Sequence, residues 1–188
     1  MVLSALEPGA RIPASAFFMA SLGHIAVGMA ASRVHDRTRE LHWPAALSWA
    51  ALSMLPDADV VGLSLGVSYG SPWGHRGATH SLVFAAAVGL GIGVAAAWRR
   101  SRAPLFTGLL ATAVLASHGL LDTLTDGGMG CALLWPFDVT RYFAPWRPIP
   151  VSPIGLGYLS PYGMFVAATE MVIFAPLFVF AFMPRRRR

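Results

Sequence analysis

The sequence predicts an all-α protein: a polytopic transmembrane bundle of about five helices, two of them short, closed by a long capping loop. Three observations predict it. The 188 residues are 55% hydrophobic and 12% charged, about half the roughly 25% charge of an ordinary soluble domain. The apolar residues gather into runs close to the length of a bilayer span, about 20 residues. The 14 basic side chains are all arginine, and most of them lie between those runs. A mean hydropathy of +0.58 excludes a disordered chain.

The runs follow in order. Residues 12–32 form the first span, with His24 near its middle. Residues 43–56 (WPAALSWAALSMLP) form a shorter second one. Residues 81–98 carry no charge, and residues 103–121 contain His118 as their only ionisable group. The last span, 161–184, is interrupted only by Glu170. Residues 1–18 read as a Pro- and Ala-rich lead-in before Met19, an alternative start. A cleaved signal peptide over residues 1–32 competes with that reading, but Glu7 precedes Arg11 and no cleavage site follows the apolar run. No repeat or second domain interrupts the chain, so 1–188 is read as one integral-membrane domain.

Arginines set the expected orientation. Arg33, Arg37 and Arg39 lie between the first two spans, Arg99, Arg100 and Arg102 follow the third, and Arg185, Arg186, Arg187 and Arg188 follow the last. All ten fall on one side if the five helices alternate. Basic loops stay in the cytoplasm, which puts the C-terminus inside and loops 57–78 and 123–160 outside. The arginines then serve as topological anchors that face lipid headgroups, and nucleic acid is excluded as a partner. His35 and His42 fall in the basic loop and read as solvated, with Asp36 and Glu40 as partners for its arginines. Cys131 stands alone, which excludes a disulfide framework and a Cys-rich zinc module.

Three polar pairs then converge on the outer end. Asp57 and Asp59 (PDAD) end the second span, His75 and His80 (HRGATHS) open the third, and His118 and Asp122 close the fourth. An Asp or Arg near lipid costs about 2.5–3.5 kcal/mol. Such groups persist where they pair, line a wet cavity or bind metal. His118 and Asp122 are four apart and share one helix face. His75 and His80 are five apart, and Gly77 is expected to turn the chain so that both rings point inward. Each pair alone also reads as a helix cap or an i,i+4 contact. Together, nitrogen and oxygen donors without thiolate suit zinc first, with manganese, iron or magnesium as alternatives. With His24 there are seven candidates, more than one zinc uses, which suggests two ions about 3.5–4 Å apart. Glu170 is either a partner for His24 or a polar contact within the bundle.

The order GHIAVG, PDAD, HRGATHS, SHGLLDTLTDGG, LLWPF and PWRPIPVSPIG resembles the bacterial membrane-bound metal-dependent hydrolases of the YdjM/YbcI type, over roughly residues 19–160. The resemblance implies a polytopic inner-membrane protein. It also implies metal-site positions at His24, Asp57, Asp59, His75, His80, His118 and Asp122. A looser likeness to zinc-dependent phospholipase C is an analogy of helix-borne His-x-x-x-Asp pairs.

The expected function is a zinc hydrolase that cleaves a phosphoester of a lipid, phospholipase-like, at the outer leaflet. A metal-bound water is acidic enough to supply hydroxide near neutral pH. Asp59 is the catalytic carboxylate for that water. Arg76 is expected to grip a phosphate with both prongs, or alternatively to snorkel to headgroups. Thr79, Ser81, Ser117 and Thr125 are candidates to hold imidazole nitrogens. Residues 126–160, with Trp135, Tyr142, Phe143, Trp146 and Tyr158, form an interfacial cover. Three rivals stand beside this reading: a ceramidase-like lipid amide hydrolase, a metal-transport or metal-handling protein, and a structural subunit held by His/Asp pairs. Transport is disfavoured because the cytoplasmic halves of the third and fourth spans offer only Thr107 and Thr112.

Overall fold

The computed structural model describes residues 21–36, 40–153 and 155–184. The lead-in, the alternative start at Met19, most of the signal-peptide reading, and Arg37, Arg39, Arg185, Arg186, Arg187 and Arg188 lie outside the described residues. The described residues contain six α-helices: α1 Leu22–His35, α2 Trp43–Ser53, α3 Val60–Ser64, α4 Leu82–Trp98, α5 Pro104–Thr123 and α6 Pro161–Phe182. The helix beyond the expected five is α3, a single turn that follows the 3₁₀ segment Leu55–Asp59. The described residues contain no named strand, only isolated bridges between Thr125 and Ile149 and between Cys131 and Tyr142.

Span lengths differ from the sequence expectation. Among the described residues, α5 and α6 are long and apolar enough to cross a bilayer, and α4 is a shorter apolar helix. The described part of α1 begins at Leu22 and runs to His35, so His24 sits in its first turn rather than in mid-span. That shift places His24 at the same end of the bundle as the other polar pairs.

Local sequence explains most helix starts. Proline occupies the first turn of α2, α5 and α6, where its missing N–H costs nothing. Ser81 and Ser160 accept from the N–H groups of Phe84 and Gly163 and so cap α4 and α6. Helix α1 is capped from elsewhere. The Glu170 carboxylate, on α6, accepts from Leu22 N at 2.6 Å, Gly23 N at 3.4 Å and Ser21 Oγ at 3.2 Å. A negative charge suits a helix N-terminus, where donors are unpaired. Of its two expected roles, Glu170 therefore takes that of a contact within the bundle.

Helix α1 packs between α2 and α6, and α4 packs along α5. At the first crossing, a Cβ on Gly28 would lie 2.5 Å from Trp49 O and 2.6 Å from Ala50 Cα, so α1 and α2 meet backbone to backbone. The inner faces are built of small residues around a few large ones, such as Ala31 and Ala111 with Trp49 and Val114. The outer faces are apolar: Leu90, Val94, Leu105, Leu109, Phe165, Val172 and Val179 are all exposed. Soluble monomers do not present so continuous an apolar surface, and lipid is the solvent that suits it.

The end of the bundle away from the His/Asp pairs is also structured. Arg33 is buried and donates from Nη2 to Met183 O at 2.6 Å. His35 is half-buried beside Trp49, with Nε2 2.9 Å from Thr107 Oγ1. That corrects the expectation of a solvated His35. The exposed His42 instead pairs with Asp36 at 3.5 Å.

The long segment after α5 is bound down over its length. Arg141 donates from Nη1 to the carbonyls of His75 at 2.9 Å and Gly130 at 3.3 Å. Its Nη2 donates to the carbonyls of Tyr69 at 3.0 Å and Ser71 at 3.1 Å. This one guanidinium fastens the cap to the loop that carries His75. Trp146 and Trp73 are largely exposed, and Trp135 meets Trp73 edge-on, as expected of a cover at the interface.

Replacing Gly28 with leucine is expected to force α1 off α2 and destabilise the detergent-purified protein by about 1–3 kcal/mol. Gly91→Ala, where an added Cβ meets nothing within 4 Å, is expected to leave the melting temperature unchanged or slightly raised. Thermal melts of the two variants against the parent check both.

Candidate metal centre

Three bends bring the polar side chains together. After α2, the 3₁₀ segment Leu55–Asp59 directs Asp57 to α5 and Asp59 to the loop that precedes α4. In that loop, the left-handed residue between His75 and His80 is Arg76, at φ 61°, a conformation uncommon outside glycine. Gly77, expected to make the turn, has φ −90° and serves by leaving room: its Cβ would lie 2.3 Å from Pro72 O. On α5, Gly119 lets the backbone of His80 settle against the helix, since a Cβ there would lie 2.3 Å from His80 O. His80 thereby meets the face of α5 that bears His118 and Asp122.

The hydrogen bonds fix which nitrogen of each ring carries the proton. His118 Nδ1 lies 2.7 Å from Ser53 O, and a carbonyl only accepts, so Nδ1 carries the hydrogen and Nε2 is bare. His80 Nδ1 lies 3.3 Å from Asp59 Oδ2 and 3.0 Å from Thr79 Oγ1. Thr79 gives its own proton to Asp59 Oδ2 at 2.5 Å, so His80 Nδ1 also donates and its Nε2 is the nitrogen turned to the site. The two Nε2 atoms face each other at 3.2 Å. Asp57 Oδ1 lies 3.2 Å from His118 Nε2 and 3.4 Å from His80 Nε2, and Asp122 Oδ2 lies 3.4 Å from His80 Nε2. Four potential ligand atoms thus crowd one buried point, with the His80 proton shared among them. Asp57, His80, His118 and Asp122 each offer one ligand atom within 4.8 Å of the others.

A second group, Asp59, His75 and His80, meets the same spacing. Here Asp59 Oδ1 takes His75 Nδ1 at 2.7 Å, while Oδ2 takes Thr79 and His80. Asp59 therefore stands behind the imidazoles and orients them. His24 falls outside both groups. It stacks on His118 at 3.7 Å between ring centroids and directs Nε2 to Asp122 Oδ1 at 3.2 Å.

Arg76 is buried, which corrects the alternative that it snorkels to headgroups. Its Nη1 is committed to Thr125 Oγ1 at 2.9 Å and Gly127 O at 3.0 Å, and its Nε lies 3.1 Å from Asp122 Oδ2. Of the four hydroxyls expected to hold imidazoles, only Thr79 does so. Thr125 holds Arg76, Ser81 caps α4, and Ser117 bonds to Val114 O. Sequence reasoning missed the Ser53 carbonyl and Arg141, because neither backbone acceptors nor a lone loop arginine carry a motif.

The electrostatics favour positive charge. Burial alone pushes the Asp59 carboxyl up, but hydrogen bonds from His75 and His80 outweigh it and hold the group at about 2. Burial opposes ionisation of Asp57 as well, and His118 and His80 together keep it below the usual carboxylate range. For His80 burial lowers the pKa, yet Asp122, Asp57 and Asp59 raise it well above the ordinary imidazole value. Burial pushes the Cys131 thiol up to about 12, so it is no thiolate ligand.

Comparison with known proteins agrees with this setting. Residues 19–186 match the family described as YdjM inner membrane protein. The chain belongs to that family. It is 49% identical over 123 residues to the inner membrane protein YbcI of Escherichia coli (strain K12), a stretch covering 64% of this chain and 70% of that protein. No solved structure matches. An inner-membrane location follows from the family, and the exposed apolar faces of α4, α5 and α6 suit it.

Two expectations follow for metal titrations of the purified protein. Asp59→Asn should weaken zinc binding at the Asp57, His80, His118 and Asp122 group by about 10–100-fold, as for loss of a group that orients ligands. The cation must also displace a proton from His80, whose pKa lies above 6.5 in the metal-free protein. Affinity should therefore keep rising as pH increases past 6.5, with proton release on binding. Titration calorimetry in buffers of different ionisation enthalpy reads both.

Proposed function

We propose that this protein is a membrane-embedded metal-dependent hydrolase that cleaves a phosphoester of a lipid with metal-activated water. Zinc is the first choice of metal, with manganese, iron and magnesium as alternatives. The observation that carries the reading is the pair of Nε2 atoms 3.2 Å apart on His80 and His118, both turned to the same two carboxylates. Both rings are locked from behind, and the Asp57 and Asp122 carboxylates cross between them. Two imidazoles and two carboxylates are a donor set that suits zinc.

Asp57, His80, His118 and Asp122 would hold the cation. When bound, it supplies Lewis acidity and a water acidic enough to be hydroxide near pH 7. Asp59 keeps His80 and His75 in the ligating tautomer. Arg76, beside Asp122, opposes negative charge that develops on a reacting phosphoryl group. The site lies at the end of the bundle away from Arg33, Arg99, Arg100 and Arg102, so the positive-inside rule puts it on the extracytoplasmic side. The exposed aromatic cover above it supports a substrate drawn from the bilayer rather than from bulk water.

Charge balance favours a second reading where one ion binds. The carboxylates of Asp57, Asp59 and Asp122 are neutralised by Arg76 and one divalent cation, and an uncharged lipid amide, as in ceramidase-like enzymes, then fits without excess charge. A second ion at Asp59 and His75 would favour the anionic phosphoester. Ion count and substrate class are therefore linked.

The test is an assay of zinc-loaded protein on mixed micelles of phospholipid and ceramide that separates phosphorylated product from fatty acid released from ceramide. Phosphorylated product is expected, lost on chelation and reduced at least about 100-fold in His80→Ala and His118→Ala. Full metal content and full activity in both variants would overturn the proposal, and fatty acid released from ceramide would shift it to the amide reading.

A further inference from the structure

Beside the Asp/His group lies a small cleft of about 20 Å³, between the start of α1, the end of α5, α6 and the cap. Two of its lining side chains present a buried polar atom without a hydrogen-bond partner, His24 Nδ1 and Ser152 Oγ, and a third, Arg76, has its Nε 3.1 Å from Asp122 Oδ2. His24 and Arg76 are each 3% exposed. Buried polar atoms are ordinarily paired, and two left unpaired around one void point to a ligand. Their chemistry is complementary. His24 directs Nε2 to Asp122 Oδ1 at 3.2 Å; a carboxylate only accepts, so Nε2 carries the hydrogen and Nδ1 is an acceptor. The Ser152 hydroxyl can act as donor or acceptor. A ligand hydroxyl, which both donates and accepts, has the chemistry to partner both. The remaining wall is apolar, from Leu121, Ile149 and Phe174, and suits the carbon that bears that hydroxyl.

We propose that this cleft is a hydroxyl subsite for a polyol phosphate: it seats an alcohol hydroxyl of the headgroup while the phosphate lies at the neighbouring Asp/His group. The inference rests on the hydrolase reading and names the substrate's polar part. Ser152 is the residue that sets this preference. Its segment is held in place by Asp126, which bonds to Val151 N at 2.7 Å, and by Asp126 N donating to Ile149 O at 2.9 Å. The hydroxyl therefore meets a fixed partner, and a ligand without one leaves two buried groups unpaired. Sites built to bind a hydroxyl discriminate strongly against analogues that lack it.

The experiment is calorimetric titration of the zinc-loaded, full-length protein in detergent with glycerol 3-phosphate and with propyl phosphate, which lacks the hydroxyls. Glycerol 3-phosphate is expected to bind at least about tenfold more tightly. In Ser152→Ala the two should bind within about twofold of each other, with zinc content unchanged. Equal binding of the two phosphates by the parent protein would overturn the subsite and leave the cleft as a place for water. A tenfold gap that survives Ser152→Ala would overturn it as well. Should Ser152→Ala fail to hold zinc, the parent comparison still decides. Binding of neither phosphate would instead overturn the hydrolase reading on which the subsite depends.

Discussion

The carboxylates of Asp57 and Asp122 repel each other, and the chain holds them together beside the Nε2 atoms of His80 and His118 regardless. In a buried pocket such repulsion is weakly screened, so the arrangement persists only because other contacts over-determine it. The Ser53 carbonyl and Asp59 hold the rings from behind, and His24 stacks on His118. Arg76 places a fixed positive charge next to Asp122. Each of these contacts comes from a different part of the sequence, and each holds the geometry in which a cation would bind.

The scaffold shows the same logic at larger scale. Bundle helices with small inner residues approach closely and leave little room for movement, while the large apolar residues are turned to lipid. The polar end is closed by the cap, which the Arg141 guanidinium holds through four carbonyls. A loop so fastened is part of the pocket wall. That explains why a stretch so rich in proline and tryptophan, with little regular structure, stays ordered.

Much of this was legible in the sequence. Helical class and membrane setting follow from uncharged runs, a property that composition reports directly. Asp57, His80, His118 and Asp122 converge as expected, because polar residues at one end of adjacent apolar helices have nowhere else to gather. Other details were not legible, for physical reasons. The resemblance implied His24 as a metal-site position, and only the start of α1 shows that it reaches Asp122 from one side. Asp59 was expected to serve the metal-bound water, and its contacts to His75 and His80 depend on a 3₁₀ turn whose side-chain directions no periodicity reveals. The turn at His75 looked like the work of Gly77, whereas Arg76 adopts the left-handed conformation and the glycine provides space. His35 was read from the charge of its loop, and α1 continued far enough to bury it against α5.

The contact between Glu170 and the first turn of α1 joins residues separated by almost the whole chain. During synthesis, α1 is made long before the residue that caps it. Its leading N–H groups must wait, hydrated or bound by another acceptor, until α6 arrives. Completion of the pocket is thus tied to insertion of the last helix, and a truncated chain would leave His24 on an unanchored helix end.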